Sequence, residues 1–250
     1  AMKMLDRLEE EGARGAVRVL LYHGLSESEW TADTSVRRLR EHLSALRAAG
    51  FRFIAMDEIP AYFKSLEGKR AEDTRPFISR MWHWVKYAFT GEGSPKPPAL
   101  REYSPEKVAC VTFDDARNNS LFFGTPVAEE MNASFGMFIP ECNISRNIIY
   151  AASWEELRRY YKTGNWSFGS HLMDASIPGP VDEEGHIVYP LPNQMWDPER
   201  NRTETLRSYL GRIKREFKDS REIIVRELGM ESNDCRTMSF PFGELGQETA

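Results

Sequence analysis

Two adjacent carboxylates, Asp114 and Asp115, stand at the end of the run Val108-Ala109-Cys110-Val111-Thr112-Phe113. The run is short, apolar and rich in β-branched residues, which is the pattern of a buried strand. Ligands in α/β folds bind beyond the carboxyl ends of such strands. Side by side there, two acids repel, and a bound cation is the usual relief. One carboxylate can hold the cation while its neighbour serves as a general base. The plainer expectation is a solvated Asp-Asp turn.

Two histidines hold comparable places. The apolar run from Ala16 to Tyr22 ends in His23 and Gly24, and the short run Trp166-Ser167-Phe168-Gly169-Ser170 ends in His171. A histidine at a strand end is either a hydrogen-bonded structural residue or a group that moves protons or binds metal. In a parallel fold, all four side chains arrive at one face.

The elements that must position them follow from period and punctuation. Residues 3–14 read as a short charged helix. Ser35 to Ala49 reads as a helix with Val36, Leu39, Leu43 and Leu46 on one face and Gly50 as its stop. Phe51 to Met56 reads as a strand, with a further helix from Asp57. Thr125 to Met131 reads as helix, Ala133 to Pro140 as strand, and Ser153 to Thr163 as a helix with a capping box from Ser153 to Glu156. Thr205 to Leu228 is a long amphipathic helix stopped by Gly229, and Arg236 to Gly243 a last strand and turn. This alternation of strand and helix is that of a parallel sheet. Two stretches interrupt it, at about 64–107 and 177–202. The first carries the aromatics Met81 to Phe89, which either line a sugar cleft or pack the stretch onto the fold. No linker splits the chain, so residues 1–250 are expected to form one domain.

Composition bounds the partners. The net charge is -5, which gives no basic footprint for nucleic acid or an anionic membrane. No run is long and apolar enough to span a bilayer, and Ala1 to Met4 does not lead into the apolar core of a signal peptide. Cys110, Cys142 and Cys235 lack metal-knuckle or redox spacing; one disulfide is possible and none is implied.

The residues at the strand ends also carry a resemblance. Thr112-Phe113-Asp114-Asp115 resembles the first motif of the polysaccharide deacetylases of carbohydrate esterase family 4. Gly169-Ser170-His171 with Asp174 resembles their second motif, and Ser239-Phe240-Pro241-Phe242-Gly243 their third. Leu21-Tyr22-His23, Ala48-Ala49-Gly50-Phe51, Trp154-Glu155-Glu156-Leu157 and Tyr209 to Ile213 resemble the branch that acts on poly-N-acetylglucosamine. The resemblance covers roughly residues 16–248.

It implies an α/β fold, a distorted (β/α)₇ barrel, with the motif order circularly permuted and the general-acid histidine near the N-terminus. His23 is the matching position. Asp115 and His171 would hold a divalent metal, zinc by preference, with nickel, cobalt or iron as alternatives. Asp114 would take the proton of the attacking water, and the metal with a backbone N–H near the Asp pair would stabilise the oxyanion. His23 would protonate the leaving nitrogen, and Pro241 and Phe242 would shape the wall around the acetyl group. The substrate would be an N-acetylated glycan, met outside the cytoplasm.

Three departures from the family pattern stand out. The second metal histidine belongs four or five residues after the first, where this chain has Ala175 and Ser176. The third ligand is therefore open between Ser176, His186 and Asp174. The glycine usual after the Asp pair is Ala116, and the sequence stops at Ala250, where the helix after the third motif should begin, so either the barrel is left unclosed or the native chain continues. The main rival to an enzyme is a degenerate barrel that binds glycan or a protein without turnover. A deacetylase of a small acylated sugar is a third reading.

Overall fold

The structure is a computed structural model that describes residues 17–71, 107–231 and 234–243. In chain order its elements begin with β1 (Val17–Tyr22), β2 (Leu25–Ser26), β3 (Thr34–Ser35), α1 (Val36–Ala48) and β4 (Arg52–Phe53). A 3₁₀ turn, Met56–Glu58, leads to α2 (Ile59–Ala71). Then come β5 (Val108–Phe113), α3 (Asn118–Glu130), β6 (Phe135–Ile139), α4 (Glu141–Ser145), α5 (Trp154–Thr163) and β7 (Trp166–Ser170). Four two-residue strands follow, β8 (Gly179–Pro180), β9 (Ile187–Val188), β10 (Trp196–Asp197) and β11 (Arg202–Thr203), then α6 (Leu206–Leu228) and a 3₁₀ turn, Pro241–Gly243.

The centre is a parallel sheet with β5 in the middle. β1 lies along one side of β5, with Val17 opposite Val108 and Tyr22 opposite Phe113. On the other side β4 covers the start of β5 and β6 its end, and β7 pairs with β6. Every residue of β5, β6 and β7 is buried, which is why these strands read as continuous apolar runs rather than alternating ones. Because β1, β5 and β7 are parallel, the residues that follow them emerge at one edge of the sheet. His23, the Asp pair and His171 are those residues.

Helices cover the sheet for legible reasons. Ser35 caps α1 by accepting from the Arg38 N–H, and Leu39, Leu43 and Leu46 are the buried stripe. Ser153 and Glu156 form the expected capping box on α5. Thr205 caps α6, whose Tyr209, Ile213, Ile224 and Leu228 face inward. The main core joins Phe113, Phe135, Trp166 and Phe168 of the sheet to Leu39, Leu43, Leu121, Leu157 and Leu228.

Several expectations are corrected. The strand expected at Phe51 to Met56 shrinks to Arg52–Phe53, because Met56 already starts the 3₁₀ turn. The helix expected from Thr125 begins at Asn118, directly beyond the acid pair, and carries Pro126 inside it. Proline usually marks a helix start, and here tertiary packing of Leu121, Gly124, Val127 and Ala128 overrides that cost. The last strand reduces to one parallel bridge, Met238 to Ser170, before the 3₁₀ turn. All three cysteines are free and buried. The stretch 177–202 holds two small antiparallel hairpins, and Tyr209 and Arg212 pin it to α6 through the carbonyls of Leu191, Pro190 and Asn193. The helix expected at 3–14 and the aromatics at 81–89 lie outside the described residues. No described helix is long and apolar enough to cross a membrane.

Candidate active site

The acid pair sits on a sharp corner. Asp114 still belongs to the sheet, since its N–H donates to the Tyr22 carbonyl at 3.0 Å. Asp115 and Ala116 then both take positive φ, 72° and 52°. Asp tolerates that left-handed backbone better than Ala does, and Ala116 stands where the family pattern has glycine. The corner keeps the direction that a glycine would allow, at the cost of strain in a fully buried alanine.

Asp114 is buried, and its Oδ1 has no hydrogen-bond partner among the described residues. Burial, with the neighbouring charge of Asp115, pushes its carboxyl up to about 7; a hydrogen bond from the Ser239 hydroxyl opposes that rise. The group therefore sits near the pKa at which a carboxylate is an effective base at neutral pH.

His171 is also buried, and burial lowers its pKa. Its Nδ1 lies 3.0 Å from the Ser239 carbonyl oxygen. A carbonyl only accepts, so Nδ1 carries the proton and Nε2 presents its lone pair. Nε2 faces Asp114 Oδ2 across 3.8 Å, too far for a hydrogen bond. The turn beyond His171 is held from α6: the Glu216 carboxylate accepts from the N–H of Met173 and of Asp174, and Ser170 Oγ meets Ser220 Oγ at 2.8 Å. Gly169 makes the whole arrangement possible. A Cβ there would come 2.7 Å from the Thr237 carbonyl oxygen, so only glycine admits the segment that carries Ser239.

His23 is exposed, and its charge is felt at His171. Its carbonyl accepts from the Ser120 hydroxyl of α3. Pro241 is buried, whereas Phe242 is 63% exposed, has φ 59° and packs on Tyr189 with ring centroids 4.2 Å apart. Phe242 thus forms an aromatic pair with a residue of the 177–202 stretch.

Asp115 and the Nε2 of His171 are the residues that could hold a divalent cation here. Each of the three candidates for a third ligand has another neighbour. Asp174 is exposed, 3.7 Å from Arg146 Nη2. Ser176 Oγ lies 3.8 Å from Cys142 Sγ. His186 is exposed and bound to Asp182 at 2.6 Å. Among the described residues, the only three acidic, histidine or cysteine side chains with ligand atoms mutually within 4.8 Å are Asp182, Glu184 and His186, in an exposed turn. Ala175 is buried with Leu172, Leu191, Tyr209 and Ile213, so the chain uses that position for packing.

Four contributors escaped the sequence reading: Ser239 as the partner of both Asp114 and His171, Glu216 as the clamp, Arg117 beside Asp115, and Tyr189. Ser239 had a signal in its motif; the others are distant in sequence or polar in ways that do not separate them from surface residues.

No family model and no curated protein matches the chain. Solved structures do. The de-N-acetylase from Aggregatibacter actinomycetemcomitans superposes with a TM-score of 0.64 at 16% identity, over 93% of this chain and 82% of that one. The BpsB deacetylase domain from Bordetella bronchiseptica gives 0.65 at 17% identity, with the same coverages of 93% and 82%. IcaB from Ammonifex degensii gives 0.57 at 18% identity, over 95% of this chain and 78% of that one. At such identities the likeness concerns the backbone, and the chain has the fold of these deacetylase structures.

Proposed function

We propose that this chain hydrolyses the N-acetyl group of an N-acetylglucosamine-containing polysaccharide, with the described sheet as part of a distorted (β/α)₇ barrel. The observation that carries the reading is Asp114. A carboxyl that is buried at a strand end, raised to about 7 and facing a histidine lone pair is costly to keep. Catalysis gives it a reason.

Asp115 and His171 would hold a divalent cation, zinc or else nickel, cobalt or iron. When bound, the cation would acidify a water and polarise the acetyl carbonyl. Asp114 takes the proton of the attacking water as the new C–O bond forms. His23 donates a proton to the sugar nitrogen as the C–N bond breaks, which leaves acetate and a free amine. The Phe242–Tyr189 pair would offer an aromatic face suited to a sugar ring.

Separating the two acids tests this. Asp115→Asn should lose metal and turnover, and Asp114→Asn should keep metal while losing turnover by about 10²–10⁴. Equal metal content in both variants and in wild type contradicts the assignment. The second reading, a barrel that binds glycan or a protein without turnover, is favoured by Ser176 at the missing histidine; binding of an N-acetylglucosamine oligomer with no acetate release would support it.

A further inference from the structure

The guanidinium of Arg117 lies between two carboxylates. Its Nε is 3.4 Å from Asp115 Oδ2 and its Nη1 is 3.3 Å from Asp33 Oδ1. Asn119 Nδ2 holds the other oxygen of Asp33 at 2.9 Å, and the Tyr150 ring centroid lies 4.7 Å from the guanidinium carbon. Only a quarter of the side-chain surface of Arg117, Asp33 and Asp115 is exposed. Asp115 is itself fixed, with φ 72° and its carbonyl accepting from Asn143 Nδ2 at 3.4 Å. Asp33 fills the space that a side chain on Gly24 would need: a Cβ there would meet its Oδ1 at 2.2 Å. This is a braced ionic chain from Asp115 to the backbone beside His23, unlike a lone surface pair.

We infer that Arg117 is the resident counter-charge of Asp115, and that Arg117 and a divalent cation compete for the Asp115 carboxylate. The inference rests on the reading of Asp115 as a metal ligand. A cation entering between Asp115 and His171 meets a fixed positive charge on one of its two donors. Loading sets the cation against Arg117 on one carboxylate, and Asp33 holds the guanidinium as its grip on Asp115 weakens. Weak metal binding in this chain then has two separable causes, the ligand lost at Ser176 and the charge held at Arg117.

Titration calorimetry of the metal-stripped full chain with zinc alone tests this. Removing the competitor in Arg117→Gln should tighten zinc binding roughly five-fold, the scale of a partly exposed ion pair. Arg117→Lys keeps the charge and should stay near wild type. Asp33→Asn leaves Arg117 only Asp115 to lean on, and should weaken zinc binding. This second arm carries the test if Arg117→Gln does not fold, as judged by circular dichroism. The inference is overturned if folded Arg117→Gln binds zinc no more tightly than wild type, if Arg117→Lys tightens as much as Arg117→Gln, or if Asp33→Asn does not weaken binding. If Asp115→Asn binds zinc as well as wild type does, the metal seat itself is overturned and this inference with it.

Discussion

His171 Nδ1 donates to the Ser239 carbonyl at 3.0 Å, and that bond decides which ring nitrogen faces Asp114. Ser239 also reaches Asp114 through its hydroxyl, so one residue orients both groups. Its segment runs against β7 because Gly169 leaves room for it.

Gly169→Ala should therefore loosen both. The added methyl would sit 2.7 Å from the Thr237 carbonyl oxygen and 2.9 Å from the Phe138 ring, with backbone on one side and core on the other. We expect a loss of about 1–3 kcal/mol, as for overpacked cores. Thermal melting checks it; for a chain of this size each kcal/mol moves Tm by about 2–4 °C. An unchanged Tm contradicts the close approach.

The Asp114 carboxyl, at about 7 when folded against its ordinary 3.8, binds its proton more tightly in the folded chain than in the unfolded one. The stability it contributes is complete below about pH 3.8 and is lost as pH rises through about 7. Asp114→Asn cannot titrate. In metal-free buffer it should gain on wild type as pH is raised, with the Tm difference larger at about pH 8 than at about pH 4. His171, lowered by burial, acts in the opposite sense but is common to both proteins. A difference that does not change with pH contradicts the burial of a proton-holding Asp114.

Ser176→His restores an imidazole at the position the motif lacks. A serine hydroxyl is a weak ligand for a borderline metal, and two protein ligands make a poor catalytic site. Zinc affinity should rise on the order of tenfold or more, by calorimetry on stripped protein. If wild type already retains one zinc tightly through purification, the site has a third ligand elsewhere and this expectation fails.

Much of the fold was legible. Buried strands announce themselves as unbroken apolar runs, as Val108–Phe113 does, and caps such as Ser35, Ser153 and Gly229 mark helix ends. The start of α3 was not, because Asn118 and Asn119 lack a period and Pro126 points to the wrong boundary. The strand-end places of His23, Asp114, Asp115 and His171 were legible, because each follows an apolar run that the structure shows as a strand. Arg117 and Asp33 were not, because an ion pair between residues 84 positions apart leaves no trace in local pattern, and Glu216 was not, because it accepts from backbone N–H groups 42 and 43 positions away. The outcome for His186 follows the same logic in reverse. It pairs with Asp182, four residues before it, a partner that local spacing could have suggested.

The measurement that bears most directly on the account is acetate release from an N-acetylglucosamine oligomer by wild-type protein at saturating zinc, with Asp114→Asn as the control. The account predicts slow turnover in wild type that Asp114→Asn abolishes and metal stripping suppresses. Oligomer binding with no acetate released by wild type, under metal that the protein demonstrably holds, would contradict it and leave the non-catalytic binding barrel as the better description.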